Sequence, residues 1–304
     1  MLRHPHVERR ANGSAIARGV AAGIAALLLV VTHLHAVGSD TTAVIVGLDH
    51  IPLAVTDLTR AADVYRALGF ALKPGVPHQN GIANQHAKFP DGTEIELITA
   101  GEARDALTAR YAQHLAAGDG PAFVGFYAPN MGALSRRLDA TSQPYSRAAG
   151  LVTLAAPTSL PYVFFGGRNH SPTDRPEDFA HPNGADSLIG VWLAVDDARE
   201  ARRVLTVLGA TFAERRVRVP DSTNALVAEL ERGEVVILPA VRQLVPGRPI
   251  IGAVLRTPNR EAVRGALAAA PAPTVHAIEV DDGRRVFIPP SAALGLWLEF
   301  REHR

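Results

Sequence analysis

The sequence predicts an α+β protein of four βαβββ modules, paired into two half-barrel domains. Three observations carry that prediction. A strand, a capping residue, a helix and a closing glycine follow one another in Gly47–Gly69, GLDHIPLAVTDLTRAADVYRALG, and the same order returns three times downstream. Short apolar stretches suited to strands follow each copy. Between the second and third copies, Gly167–Asp186 is rich in Pro, Asn, Gly and Asp and has no periodicity, so it reads as a join.

The first module runs from Ala43 to Thr99. VIVGLDHIPLAV is its opening strand. Asp57 can cap the next helix, because its carboxylate can accept the unpaired amides of the first turn. Leu58, Ala62, Tyr65 and Leu68 then recur at helical spacing, and Gly69 suits the left-handed position just past a helix end. Strands are expected at Phe70–Leu72, Gln85–Phe89 and Glu94–Thr99, with Pro90-Asp91-Gly92 as a turn. The second module begins at Ala122 with AFVGFYAPN, caps at Asn130 and continues as MGALSRRLDA, with strands expected at Tyr145–Ala148, Leu151–Ala155 and Tyr162–Phe165. The third pairs SLIGVWLAVDD with AREARRVLTVLGA; its strands are expected at Thr211–Val219, Ala225–Glu229 and Val235–Pro239. The fourth reads IIGAVLRTPN, REAVRGALAAA, VHAIEV, RRVFIPP and LGLWLEF. One module cannot bury both its sheet face and its helix. Two can, with their sheets curved together and helices on the convex side. The domains then span residues 44–170 and 186–304.

Residues 1–43 stand apart. Arg3, Arg9, Arg10 and Arg18 precede or open an apolar run, GVAAGIAALLLVV, and no acid occurs between Glu8 and Asp40. A basic start before about 7–15 apolar residues is the pattern of a signal peptide, and the run is short of the roughly 20 residues a membrane span needs. The segment therefore predicts export or membrane anchoring through the N-terminus. A cytoplasmic chain is the alternative, with these residues as an upstream start or a short helix. The chain as a whole is 47% hydrophobic and 20% charged, with net charge +1, which fits a packed globular protein. No basic stripe with interleaved aromatics points to nucleic acid, and Arg215-Arg216-Val217-Arg218 reads as a solvated strand face. With no cysteine, disulfides, thiolate metal sites and cysteine nucleophiles are excluded.

LDHIPLAVTDL and YRALGF, followed by HQNGIANQHAKFPDGTEIELI, resemble the vicinal oxygen chelate superfamily and its glyoxalase-like branch. The resemblance implies the fold of the glyoxalase, bleomycin resistance and dioxygenase proteins. It also implies that the first and last strands of a module lie side by side, with metal ligands on the concave face. Strand alternation puts His50, Pro52 and Ala54 on one face and Ile51, Leu53 and Val55 on the other. Glu94, Glu96 and Ile98 likewise share a face. His50 and Glu96 match the family's ligand positions in a first module. His86 could join them in a facial set, unless a one-residue slip exchanges it for Gln85. Such donors suit Zn, Fe, Mn or Ni, with Glu96 as the catalytic proton carrier. The alternative is that His50 and Glu96 only satisfy each other inside a half-polar cleft.

The sequence also departs from the family's pattern. The position of His50 is taken by Phe123, Gly190 and Gly252 in the other modules, and that of Glu96 by Phe164, Val236 and Glu299. Phe123 and Phe164, with His181 at the mouth, would line a ligand cavity; Phe126 and Tyr162 are further lining candidates. Glu299 reads as a cavity acid or an exposed residue, His114 as surface and His276 as a strand residue. The resemblance implies a metal-dependent lyase or isomerase acting on a small oxygen-rich substrate, with dioxygenase chemistry less favoured. The alternative is a non-catalytic small-molecule binding protein. A homodimer is compatible with either.

Overall fold

The computed structural model describes residues 42–270, 278–279 and 283–303. The expected leader, apart from its last two residues, and His276 lie outside the described residues. In the first module, β1 (Gly47–Leu48) and β2 (His50–Ala54) are two pieces of one strand, followed by α1 (Leu58–Ala67), β3 (Lys73–Pro74), β4 (Ile82–Lys88) and β5 (Glu94–Ala100). A joining helix, α2 (Ala106–Leu115), leads to the second module. There β6 (Gly120–Pro121) and β7 (Val124–Tyr127) again form one interrupted strand, before α3 (Met131–Ala140), β8 (Tyr145–Ala148), β9 (Leu151–Leu154) and β10 (Val163–Gly166). The third module is β11 (Ser187–Val195), α4 (Ala198–Val207), β12 (Thr211–Arg218), β13 (Ser222–Leu230) and β14 (Gly233–Pro239). The fourth is β15 (Ile250–Thr257), α5 (Arg260–Ala269), β16 (Ile278–Glu279), β17 (Arg285–Ile288) and β18 (Trp297–Glu302).

Each module helix starts on a short polar side chain that accepts from the first turn: Asp57 from the Arg60 amide, Asn130 from Ala133, Asp197 from Arg199 and Glu200, and Asn259 from Glu261. The sheets repeat the same arrangement. In the second half the strand order is β12-β13-β14-β11-β15-β18-β17-β16, so modules three and four meet through the antiparallel pair β11–β15. In the first half the order β3-β4-β5-β2-β6 is joined to β1-β7-β10-β9-β8 through the interrupted strands. The Asp49 amide donates to the Gly125 carbonyl (2.7 Å) and the Ala122 amide to the Pro52 carbonyl (2.9 Å), which ties the two pieces across the break. The α+β fold of paired βαβββ modules is therefore as the sequence predicts.

One difference concerns β3, which forms at Lys73–Pro74 rather than Phe70–Leu72. Phe70 still belongs to the helix end. Its amide donates to the Tyr65 carbonyl, and its ring packs against Tyr65 and Phe300. Tyr65 itself is core, and burial raises the pKa of its hydroxyl. The main apolar core runs through both halves. Among the described residues no helix is long and apolar enough to cross a membrane.

Candidate functional site

The concave face of the first half collects its polar residues by register. β2 and β5 run parallel, with His50 beside Glu94 and Pro52 beside Glu96. β4 runs antiparallel to β5, with Asn84 beside Ile98, His86 beside Glu96 and Lys88 beside Glu94. Directly paired residues share a face, so His50, His86, Glu94 and Glu96 come together. The slip that would exchange His86 for Gln85 does not occur: Gln85 faces α1 and accepts from Arg66 at 3.1 Å.

His50 is held from both ends. Its Nδ1 lies 2.8 Å from Asp49 Oδ2, and its Nε2 lies 3.7 Å from Glu96 Oε2. Glu96 Oε1 accepts from the Asn84 amide at 2.6 Å. His86 Nδ1 lies 3.2 Å from Glu94 Oε1, and Asn169 donates to both Glu94 oxygens. Burial works to lower the His50 pKa; the hydrogen bond and charge of Asp49, with the charges of Glu96 and Glu94, outweigh it and bring the value to about 9. Burial also opposes the charge on His86, and the Glu94 bond again wins, so its pKa is raised. For Glu94, burial favours the neutral form, but the His86 bond and the His50 charge lower its pKa. The side chains of His50, His86 and Glu96 remain 17%, 12% and 11% exposed, while Glu94 is almost wholly buried at 2%.

Aromatic rings make the opposite wall. The Phe164 ring stands edge-on to the His50 ring at 4.9 Å. Phe123 sits between the Tyr111 ring at 5.3 Å and the Arg110 guanidinium at 4.4 Å. Burial, then the charge of Glu96, raises the Tyr111 pKa well above its ordinary value. The join between the halves closes the edge of this face. Lys88, buried, donates to the Asn169 carbonyl and to both Asp174 oxygens, and Lys73 also reaches Asp174. Burial alone would raise the Asp174 pKa; the bonds from Lys73 and Lys88 take it below the usual carboxylate range.

Other candidates lie elsewhere. Phe126 faces away from the cavity: it pairs with Phe165 while Phe164 pairs with Gly125, and their rings meet in the core. His181 does not line the mouth. Its Nδ1 accepts from the Ala71 amide, its Nε2 donates to the Lys88 carbonyl, and Phe70 and Phe89 flank the ring. Both nitrogens are spent on backbone, which makes His181 a pin for the join. Glu299 is fully buried against Arg301 at 2.8 Å and Arg285 at 3.1 Å. His114 is half-buried rather than on the surface, with Nε2 3.2 Å from the Gly120 carbonyl. Asp49, Glu94 and Asn169 were missed by sequence reasoning as members of the site. Alternation puts Asp49 on the helix face, and nothing in the unpatterned join marks Asn169.

The concave face of the second half is apolar over part of its area, where Trp192, Val236, Val254 and Phe287 pack and Gly252 lies under the Trp192 ring. Glu299, paired with Val254 and Phe287, shares that face and is tied through Arg301 to Glu234. A cleft of about 580 Å³ that takes in Glu234 and Arg301 holds five arginines, but each has a partner: Leu48 for Arg168, Glu229 for Arg215, Glu231 for Arg232, Asp186 for Arg256 and Glu299 for Arg301.

A divalent metal in a catalytic site takes about three protein ligands. Here His50 Nε2 and Glu96 Oε2 converge, and the carboxylate bonded to each imidazole's Nδ1 orients the ring without occupying its Nε2. Among the described residues no group of three His, Cys, Asp or Glu side chains could hold a metal ion. The donor set therefore does not fit a metal cage.

The model of the family described as "Glyoxalase-like domain" matches residues 48–209, more than half of the chain. No curated protein matches the sequence. Among solved structures, the chain is similar to a hypothetical protein from Staphylococcus aureus (13% identity, 85% of this chain and 100% of that one, TM-score 0.56). It is also similar to a catechol 2,3-dioxygenase (14%, 86% and 89%, TM-score 0.58) and to the Mn(II)-bound glyoxalase from Novosphingobium aromaticivorans (11%, 86% and 83%, TM-score 0.57). At such identities these likenesses speak for the fold alone. With the repeated modules, their sheet order and the matched residues together, the chain belongs to the glyoxalase-like domain family of the vicinal oxygen chelate superfamily.

Proposed function

We propose that residues 44–170 form the ligand-binding half of a small-molecule binding protein, and that residues 186–304 support it. The observation that carries this reading is the pairing of His50 Nε2 and Glu96 Oε2, 3.7 Å apart and partly exposed, beside the Phe164 ring. A protonated imidazole donates a hydrogen bond and a carboxylate accepts one. Side by side they match a ligand with a carbonyl next to a hydroxyl, while Phe123 and Phe164 receive an apolar part. Glu96 is also the group placed to move a proton from such a ligand, so isomerisation is the chemistry this pair would serve. The metal-dependent lyase or isomerase implied by the resemblance has less support, because only two donors converge.

The test is a panel of small α-hydroxycarbonyl compounds, with and without an aromatic ring, screened by thermal shift and calorimetry against the full-length protein. The reading expects at least one aromatic member to bind, and Glu96→Gln and His50→Ala to weaken it by about tenfold or more, the worth of one charge-assisted hydrogen bond at roughly 1.5–3 kcal/mol. Binding unaffected by either substitution would move the site elsewhere.

A further inference from the structure

We infer that Phe123 and Phe164 exclude a divalent metal from the first half-barrel and reserve it for an organic ligand. The inference rests on the concave face being the site. Residues 47–54 pair antiparallel with 120–127, so module two meets module one about a local twofold axis. In module one, Pro52 pairs with Glu96; in module two, Gly125 pairs with Phe164 at the equivalent place. Module two therefore presents carbon where module one presents oxygen.

Neither ring is free to leave. A Cβ on Gly125 would lie 2.4 Å from Cζ of Phe164, so the far end of the ring occupies the space over Gly125 on the neighbouring strand. Phe164 is 6% exposed and Phe123 8%. Phe123 is clamped between Tyr111 and the Arg110 guanidinium. The space that further ligands would occupy is filled with hydrocarbon, which cannot donate to a cation and cannot replace its hydration.

The experiment is calorimetric titration of the full-length protein with Zn²⁺ and Mn²⁺. It compares wild type, Phe164→Glu, Phe123→His/Phe164→Glu, and the double variant with His50→Ala added; circular dichroism checks folding. Wild type is expected to bind no stoichiometric metal, and the double variant to bind one equivalent that His50→Ala removes. One equivalent bound by wild type and lost in its own His50→Ala variant would overturn the inference. So would a folded double variant that binds nothing. If the double variant does not fold, Phe164→Glu carries the comparison, with any gain of His50-dependent metal over wild type as support and no gain as refutation. The organic-ligand screen is separate, so a negative screen leaves the metal result standing.

Discussion

At the scale of residues, His50 owes its orientation to its neighbour in the chain. Successive side chains on a strand point to opposite faces, and by that rule Asp49 belongs with Ile51 against α1. Instead Asp49 sits at the break between β1 and β2, its backbone still bonded to Gly125 and Glu94, and its carboxylate reaches the imidazole. This is why His50 and Glu96 were legible in the sequence and Asp49 was not: alternation is visible in a string of letters, its local failure is not. His114 shows the same limit. It reads as a surface residue of α2, yet the Arg248 guanidinium docks beside it and donates to the carbonyls of His114, Gly118 and Asp119 at the helix end. Burial, then the Arg248 charge, lowers the His114 pKa to about 4 from its ordinary 6.5. Below about pH 6.5 the unfolded chain takes up a proton that the folded chain refuses until about pH 4, so His114 costs stability as pH falls through that window. His50 and His86 titrate in the opposite sense, so the measurement is a difference. Urea unfolding at pH 7 and pH 5 should show wild type losing more stability than His114→Gln. Equal losses in the two proteins would defeat the assignment.

At the scale of elements, the caps and helices could be read directly, because a carboxylate or amide before a helical stripe has one dominant use. Strand faces were equally legible wherever apolar and polar residues alternate. Strand ends were not, as β3 shows, because tertiary packing of Phe70 decides where the helix lets go. The pairing of a ring with a glycine on the adjacent strand was not legible either. It recurs as Phe164 over Gly125 and as Trp192 over Gly252, and it depends on register between strands far apart in the chain rather than on local pattern. At Gly252 an added Cβ would lie 2.3 Å from the Trp192 ring, which is fully buried and has no way to yield. Gly252→Ala is therefore expected to cost about 1–3 kcal/mol in denaturant unfolding, the usual range for overpacking. An unchanged midpoint would show that the second sheet is looser than this packing implies.

At the scale of the whole molecule, one repeated fold carries two different interiors. The first half gathers histidines and carboxylates on its concave face, whereas the second covers part of the same face with hydrocarbon and ties its carboxylates Glu234 and Glu299 to Arg301. Yet the halves share one core. The amides of Val44 and Ile45 donate to the Leu208 carbonyl at the end of α4, and Arg248 reaches back to α2. Shared burial of this kind favours a single cooperative transition. The apolar packing of the second sheet also has an optical consequence. Both tryptophans of the chain, Trp192 and Trp297, sit on the second sheet, and the first half contains none. Intrinsic fluorescence therefore watches only the supporting half, while far-ultraviolet circular dichroism watches all the helices. The two signals should trace the same unfolding curve if the core couples the halves. A fluorescence transition displaced from the dichroism would reveal each half melting on its own, with no label added.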